Sequence, residues 1–338
     1  MTRFDAVLLL SFGGPEGPEE VLPFLRNVTR GRDIPDDRLA AVGAHYAHFD
    51  GVSPINEQCR RLRQSLADDL TAAGHDLPVY WGNRNWRPFL VDTVQQMADD
   101  GITRALVVVT SAYSSYSGCR QYLEDLDAAR TQVGPSAPEV VKIRQYFDHP
   151  GFVEPFRDGV RDGVARLGSG VPLVFTAHSI PMAMADASDY EKQLRTTAAL
   201  VAEAAPASPW TLAWQSRSGP PTVPWLEPDI SDHLRDLEGA GHSSVVVAPI
   251  GFVSDHMEVI WDLDTEAQAT ADELGMTMIR TPTPGTTPDP RFVTMWRELL
   301  EEQLTDGPRR ALSALPARPT PCAAGCCPSG RRPPPAPA

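Results

Sequence analysis

The sequence predicts an α/β protein made of two domains in succession, each a parallel β-sheet flanked by helices. Two observations carry this. Short apolar runs, often β-branched, alternate with amphipathic stretches of helical length through most of the 338 residues, which is the pattern of βαβ units joined by right-handed crossovers. The strand-like runs are also numerous enough for two sheets rather than one.

In chain order, Ala6 to Phe12 reads as a first core strand, followed by a helix over Glu57 to Ala73 and a strand over Pro78 to Gly82. A helix over Phe89 to Asp100, a strand over Ala105 to Thr110, a helix over Tyr122 to Gln132 and a strand over Val140 to Ile143 complete the first unit. Asp148-His149-Pro150-Gly151 is a turn-forming break, placing one domain at 1–150 and the next at 151–307. The second unit repeats the layout: helices over Phe152 to Leu167, Asp189 to Ala204 and Asp229 to Gly239, strands over Pro172 to Ala177, Trp210 to Trp214 and Ser244 to Pro249. A last helix is expected to pack back on the first domain. Residues 308–338 turn rich in Pro and Ala, a tail expected to stay disordered unless something ties it down.

Composition excludes several classes. A formal net charge of -14 argues against nucleic acid or an anionic membrane as a bulk partner. No apolar run approaches the length of a membrane span, and the N-terminal run lacks a signal-peptide cleavage pattern, so a cytoplasmic protein is expected. Gly13-Gly14 is not a dinucleotide fingerprint. Five cysteines in a chain this long read as thiols or metal ligands, not as a secreted disulfide framework.

The chemistry concentrates after the last predicted strand. Asp255 with Glu258 three residues on is a capping-box pattern, predicting a helix that begins at the strand's carboxyl end, where parallel sheets gather ligands. Glu258, Asp262 and Glu266 then fall at i, i+4 and i+8, one acidic ridge beside an apolar arc of Val259, Ile260, Leu263 and Ala267. Such a ridge suits a cation. It is equally readable as a cap and two solvated charges, since like charges at this spacing cost only about 0.2–0.5 kcal/mol per pair. His178, in the loop leaving another strand, could take a proton or bind a metal near neutral pH, or be a hydrogen-bonded structural residue.

Taken together these segments resemble the ferrochelatase family over roughly residues 5 to 305. The marks are Leu10-Ser11-Phe12-Gly13-Gly14-Pro15-Glu16, Val52-Ser53-Pro54-Ile55-Asn56, Thr110-Ser111-Ala112-Tyr113-Ser114, Thr176-Ala177-His178-Ser179-Ile180-Pro181, Trp214-Gln215-Ser216, and Gly251 through Asp264. The resemblance implies two Rossmann-like domains with the active-site cleft between them, and the form looks most like the actinobacterial branch, which implies coproporphyrin III rather than protoporphyrin IX as substrate. The resemblance implies that His178 accepts pyrrole protons and Glu258 faces it across the bound macrocycle. It implies that Asp262 and Glu266 receive or relay the metal. The implied reaction inserts Fe²⁺, itself a substrate, into a distorted macrocycle. A monomer is expected, with a coprohaem decarboxylase as the implied downstream partner. A non-catalytic porphyrin or metal carrier is the alternative of a different class.

Phe12 stands where several family members carry an iron-ligating tyrosine, and Arg84 and Asn85 where some carry Lys and His. Phe12 is read as a packing residue against the macrocycle. Four porphyrin carboxylates need anchors, and Arg30, Arg32, Ser53, Arg84, Tyr113 and Arg120 are the candidates. In the tail, Cys322, Cys326 and Cys327 need a fourth ligand. Resemblance to cluster-bearing members implies Cys119 for that place and a [2Fe-2S] cluster; four thiolates also suit a structural zinc. Cys59 reads as core packing.

Overall fold

The computed structural model describes residues 4–31, 34–220, 222–316 and 318–330. Strand β1 (Ala6–Ser11) leads through α1 (Pro18–Val28), α2 (Asp36–Ala47) and α3 (Ile55–Ala72) to β2 (Val79–Asn83). Then come α4 (Leu90–Asp99), β3 (Arg104–Val109), a π-helical turn (Tyr116–Arg120), α5 (Gln121–Val133) and β4 (Glu139–Lys142). The second half runs α6 (Pro150–Leu167), β5 (Leu173–His178), α7 (Met182–Asp186), α8 (Tyr190–Ala202), β6 (Trp210–Gln215), α9 (Ile230–Gly239) and β7 (Ser244–Ala248). It ends with α10 (Met257–Val259), a π-helix (Ile260–Ala267), α11 (Gln268–Glu273), β8 (Thr277–Arg280) and α12 (Pro290–Leu304).

Two four-stranded sheets result, ordered β2-β1-β3-β4 and β6-β5-β7-β8, with every pairing parallel. The orders match strand for strand. In each, the strand order reverses beside the first strand of the unit, so β1 and β5 stand at the crevice-forming positions of open parallel sheets. Central strands covered on both faces must be apolar throughout; all six residues of β1 are buried, and so are five of the six of β5.

The structure adds elements that the sequence pattern does not announce. Strand β8 is four residues, Thr-Met-Ile-Arg, at a sheet edge, too short and too mixed to stand out. Helices α1 and α2 pack on each other, and around them Val21, Phe24, Leu25, Leu39 and Tyr46 form a small core that includes Met257 from the other half.

One continuous core runs from Val7 and Leu9 of the first sheet through Tyr146 and Phe152 to Leu173 and Phe175 of the second. Helix α12 closes it, packing on α3 and α6 with Phe292, Trp296 and Leu300 buried. Below it, the Arg144 guanidinium grips both oxygens of Glu302 at 2.8–3.1 Å and donates to the Arg310 carbonyl at 2.9 Å. Both charged side chains are almost wholly buried.

The tail departs from the expectation of disorder. The Leu312 amide donates to the Asp148 carbonyl (2.9 Å), the Ser313 hydroxyl to the Asp148 carboxylate (2.5 Å), Arg318 pairs with Asp189, and Leu315 packs on the main core. Among the described residues no helix is long and apolar enough to cross a membrane.

Candidate active site

The carboxyl ends of β5, β6 and β7 place the reactive side chains. His178 is the last residue of β5, in register with Gln215 of β6. Gly251 follows β7, its amide donating to the Thr176 carbonyl at 2.9 Å, and a Cβ there would meet the Ala177 Cα and Cβ at 2.5 Å. Only glycine lets the Gly251–His256 loop lie so close to β5. That closeness brings Glu258 to His178: Nε2 and Oε2 are 3.9 Å apart.

The Nδ1 of the imidazole contacts the Ser179 carbonyl, which can only accept, so Nδ1 carries the hydrogen, and in the neutral ring Nε2 is the nitrogen that presents a lone pair toward Glu258. The Tyr190 hydroxyl donates to the His178 carbonyl at 3.0 Å and steadies the backbone from behind. A macrocycle lying between His178 and Glu258 needs about 3.5–4.0 Å on each face. At least one side chain therefore swings aside to admit it, and both are accessible enough to do so, at 32% and 52% exposure.

Two expectations about the following helix need correction. Asp255 does not cap it: the helix begins at Met257, His256 occupies the cap position without a side-chain hydrogen bond, and the Asp255 carboxylate is instead paired with Arg280 at 2.8 Å. Nor is the ridge a plain α-helix, because residues 260–267 wind as a π-helix, a form usually confined to single turns and frequent at functional sites. The apolar arc holds nonetheless, with Val259, Leu263 and Ala267 fully buried and Ile260 partly so.

Along the ridge the carboxylates occupy different surroundings. Asp262 is held at one oxygen, Oδ2, by the Ser216 hydroxyl and by Gln215 Nε2 (3.3 Å), leaving Oδ1 without a donor among the described residues. Burial, with Glu258 and Glu266 adding repulsion, pushes it up to about 7, so it exchanges a proton near neutrality. Glu266 accepts from the Trp261 indole at 2.9 Å, and that indole stacks on His45 of α2 at a centroid distance of 4.1 Å. His256 also lies in this group, its imidazole held below its ordinary value by burial while Glu258 pulls the other way. Ser216 has a left-handed backbone, φ 62°, which sequence cannot reveal; its neighbour Gln215 stands out only as the residue ending a strand.

The candidate carboxylate anchors scatter. Phe12 packs edge-on to Phe24 in the α1–α2 core. Arg30 bonds Asn27 at the exposed end of α1, and Arg32 lies outside the described residues. Arg84 is taken up by Asp125 and covers the Tyr122 ring at 4.4 Å; Arg120 pairs with Glu124 at 3.2 Å. Ser53 is buried against Gly14. Tyr113 is 2% exposed and donates to the Ile250 carbonyl at 2.8 Å, a core tie between the two halves in place of a ligand contact.

The four cysteines are brought together. Their thiols perturb one another: Cys119 and Cys327 influence each other, as do Cys119 and Cys322, and Cys119 together with burial pushes the Cys322 thiol up. Gln145 Nε2 donates to the Cys119 sulfur at 2.8 Å. The thiols are nevertheless not gathered tightly enough for a single ion: among the described residues no three His, Cys, Asp or Glu side chains form a group that could hold one. Cys59 lies apart, its thiol pushed up to about 12 by burial.

Comparison with known proteins addresses the family and the fold. The chain is 54% identical to the coproporphyrin III ferrochelatase of Nocardia farcinica, over 97% of this chain and 98% of that one. It is 51% identical to the coproporphyrin III ferrochelatase of Streptomyces coelicolor, over 98% and 95%. SirB from Bacillus subtilis, solved with Fe³⁺, shares the fold at a TM-score of 0.53 and 11% identity, covering 89% of this chain and 97% of its own. With the ferrochelatase family profile matching residues 4–304 besides, the chain belongs to the ferrochelatase family.

Proposed function

We propose that this protein inserts Fe²⁺ into coproporphyrin III to give coprohaem in haem synthesis. The observation that carries the reading is the pairing of a lone-pair imidazole nitrogen, His178 Nε2, with a carboxylate, Glu258, at the carboxyl ends of two adjacent parallel strands. The substrate choice rests on the relatives named coproporphyrin III ferrochelatase.

Insertion requires Fe²⁺ to lose water, the macrocycle to bend so that nitrogen lone pairs leave its plane, and two pyrrole protons to depart. His178 Nε2 is the base that can accept such a proton without breaking its Nδ1 contact. Glu258 offers an anionic oxygen to metal or proton, and Asp262 Oδ1 is the next free carboxylate oxygen along the ridge. Cleft walls that hold the macrocycle bent lower the barrier by favouring the reacting shape.

Anaerobic turnover of Fe²⁺ with coproporphyrin III against protoporphyrin IX tests this directly. A clear coproporphyrin preference is expected; equal rates or the reverse order would overturn the substrate. Glu258→Gln should keep porphyrin binding and lose turnover by roughly 100-fold or more, the scale of a positioned acid–base group. A carrier would bind porphyrin stoichiometrically with no turnover. On this reading the chain acts as a cytoplasmic monomer and passes its product to a coprohaem decarboxylase.

The tail carries a second part of the proposal, a [2Fe-2S] cluster on Cys119, Cys322, Cys326 and Cys327. What supports this reading is that the thiols of the tail lie near enough to Cys119 to shift its titration, and four thiolates could provide two ligands for each of two irons. When bound, the cluster would supply one-electron redox chemistry, which Fe²⁺ insertion does not use. The cysteines themselves tie the tail to the Cys119 turn. Anaerobically purified protein should contain two irons and two sulfides per chain with visible absorption; one zinc per chain, or neither metal, would refute the assignment.

A further inference from the structure

The π-helix that carries Asp262 and Glu266 is eight residues long, whereas π-helical turns are mostly single. Hydrogen-bond geometry alone does not sustain such a run, so tertiary contacts must hold it. One side chain grips its middle. Arg280, the last residue of β8, lays its fork on Asp264 with Nε to Oδ1 at 2.6 Å and Nη2 to Oδ2 at 2.8 Å. Its third nitrogen, Nη1, donates to Asp255 Oδ2 at 2.8 Å and to the Thr281 carbonyl at 3.2 Å.

The two carboxylates flank the chemistry. Asp255 lies two residues before the helix begins and Asp264 sits inside the π segment, with Glu258 and Asp262 between them. Asp255 is itself fixed on three sides: its amide donates to Thr286 Oγ1 (2.8 Å), its Oδ1 accepts from the Thr283 amide (3.4 Å), and its carbonyl accepts from Gln58 Nε2 of α3 (3.1 Å). One guanidinium thus ties a loop anchored on both halves of the molecule to the middle of the helix. Lysine could not replace it, since an ammonium lacks the planar fork that engages both oxygens of Asp264 while a third nitrogen reaches Asp255.

We propose that Arg280 is a positioning residue of the reaction: by bridging Asp255 and Asp264 it sets the register of the π-helix and so the placement of Glu258 and Asp262 toward the metal. The inference deepens the metal-insertion reading and rests on it. Arg280 touches neither His178 nor the acidic ridge itself, so its loss should change metal handling while leaving macrocycle binding in place.

The test uses the full-length protein, with Fe²⁺ and coproporphyrin III as probes and Zn²⁺ as a second metal. Wild-type turnover comes first: its absence would sink the function, whereas turnover that the variants leave unchanged sinks only the role of Arg280. For folded Arg280→Lys and Arg280→Gln, porphyrin affinity by fluorescence should stay within about twofold, while kcat/KM for the metal falls by about tenfold or more. Asp264→Asn breaks only the fork and leaves the Asp255 pair, so it serves if the arginine variants fail to fold. It should lower metal kcat/KM in the same direction, and the Arg280→Gln, Asp264→Asn double variant should be no worse than Arg280→Gln alone. Metal kcat/KM equal to wild type in Asp264→Asn would overturn the proposal. So would parallel losses of porphyrin binding and turnover tracking the folded fraction.

Discussion

At the scale of single residues, the proposed function turns on the donors of the cleft, where among the described residues no three His, Cys, Asp or Glu side chains stand close enough to hold an ion. An imidazole nitrogen and carboxylate oxygens bind first-row divalent ions with affinities that differ by metal but exclude none of them. Zn²⁺ and Co²⁺ should therefore be inserted as well as Fe²⁺ in vitro, measured by the absorption of each metalloporphyrin; strict rejection of Zn²⁺ would mean that the metal is selected elsewhere. His149 makes a separate prediction about stability. Buried, and facing the Arg144 and Arg310 guanidinium groups as well as Glu298 at 3.3 Å, it is lowered from 6.5 to about 3, chiefly by burial. Its Nδ1 accepts from the Gly151 amide at 3.1 Å, a cap that protonation would destroy. Between those two values the unfolded chain takes up a proton that the folded one refuses, so stability falls as pH drops through that window, by up to about 1.4 kcal/mol per unit. His149→Asn, which keeps an acceptor for the cap, should flatten that acid limb in urea midpoints collected across pH. His178 and Glu258 were readable as a pair only through family resemblance, because nothing in residue spacing tells that β5 and β7 are neighbours. Tyr113 shows the opposite: a phenol among polar residues looked like a ligand contact, and burial spends it on the Ile250 carbonyl instead.

Among elements, those with strong periodicity were legible and those held by context were not. All seven strands expected from β-branched runs form within a residue or two of their expected ends, because a buried parallel strand has to be apolar along its length. Strand β8 and the π-helix escaped for a shared reason, that both depend on partners distant in sequence. Arg280 at the end of β8 is one such partner, and Asp255 answers to it in place of capping the helix. Asp–x–x–Glu before an apolar run was therefore a misleading signature here: the tertiary ion pair claimed the aspartate. The glycine after β7 gives the element-scale prediction. Gly251→Ala would press a methyl into Ala177 and push the catalytic loop off β5. A loss of about 1–3 kcal/mol in denaturant unfolding is expected, with turnover falling further than stability because Glu258 moves with the loop. Full activity in that variant would show that the loop tolerates the shift.

For the whole molecule, the alternation of strand and helix was enough to foresee two sheets. It did not foresee the Arg144–Glu302 pair, which joins residues 158 positions apart through charges that the sequence offers no reason to bury. Removing one member of a buried pair strands the other, at a cost of about 3–5 kcal/mol. Glu302→Ala should lose that much, seen as a lowered urea midpoint, and should loosen α12 as seen by amide exchange over residues 290–304. An exposed-pair cost below about 1 kcal/mol would contradict the buried geometry. The tail's ties to Asp148 and Asp189 were likewise beyond reach of composition, which registers only Pro and Ala. The core passing unbroken through both sheets has a mechanical meaning. Two halves that share packed side chains, a buried ion pair and a common capping helix resist opening about a hinge. On the proposed function, guest and host then differ in compliance: where a flat macrocycle and this crevice do not match, the macrocycle is expected to yield more than the backbone that frames it.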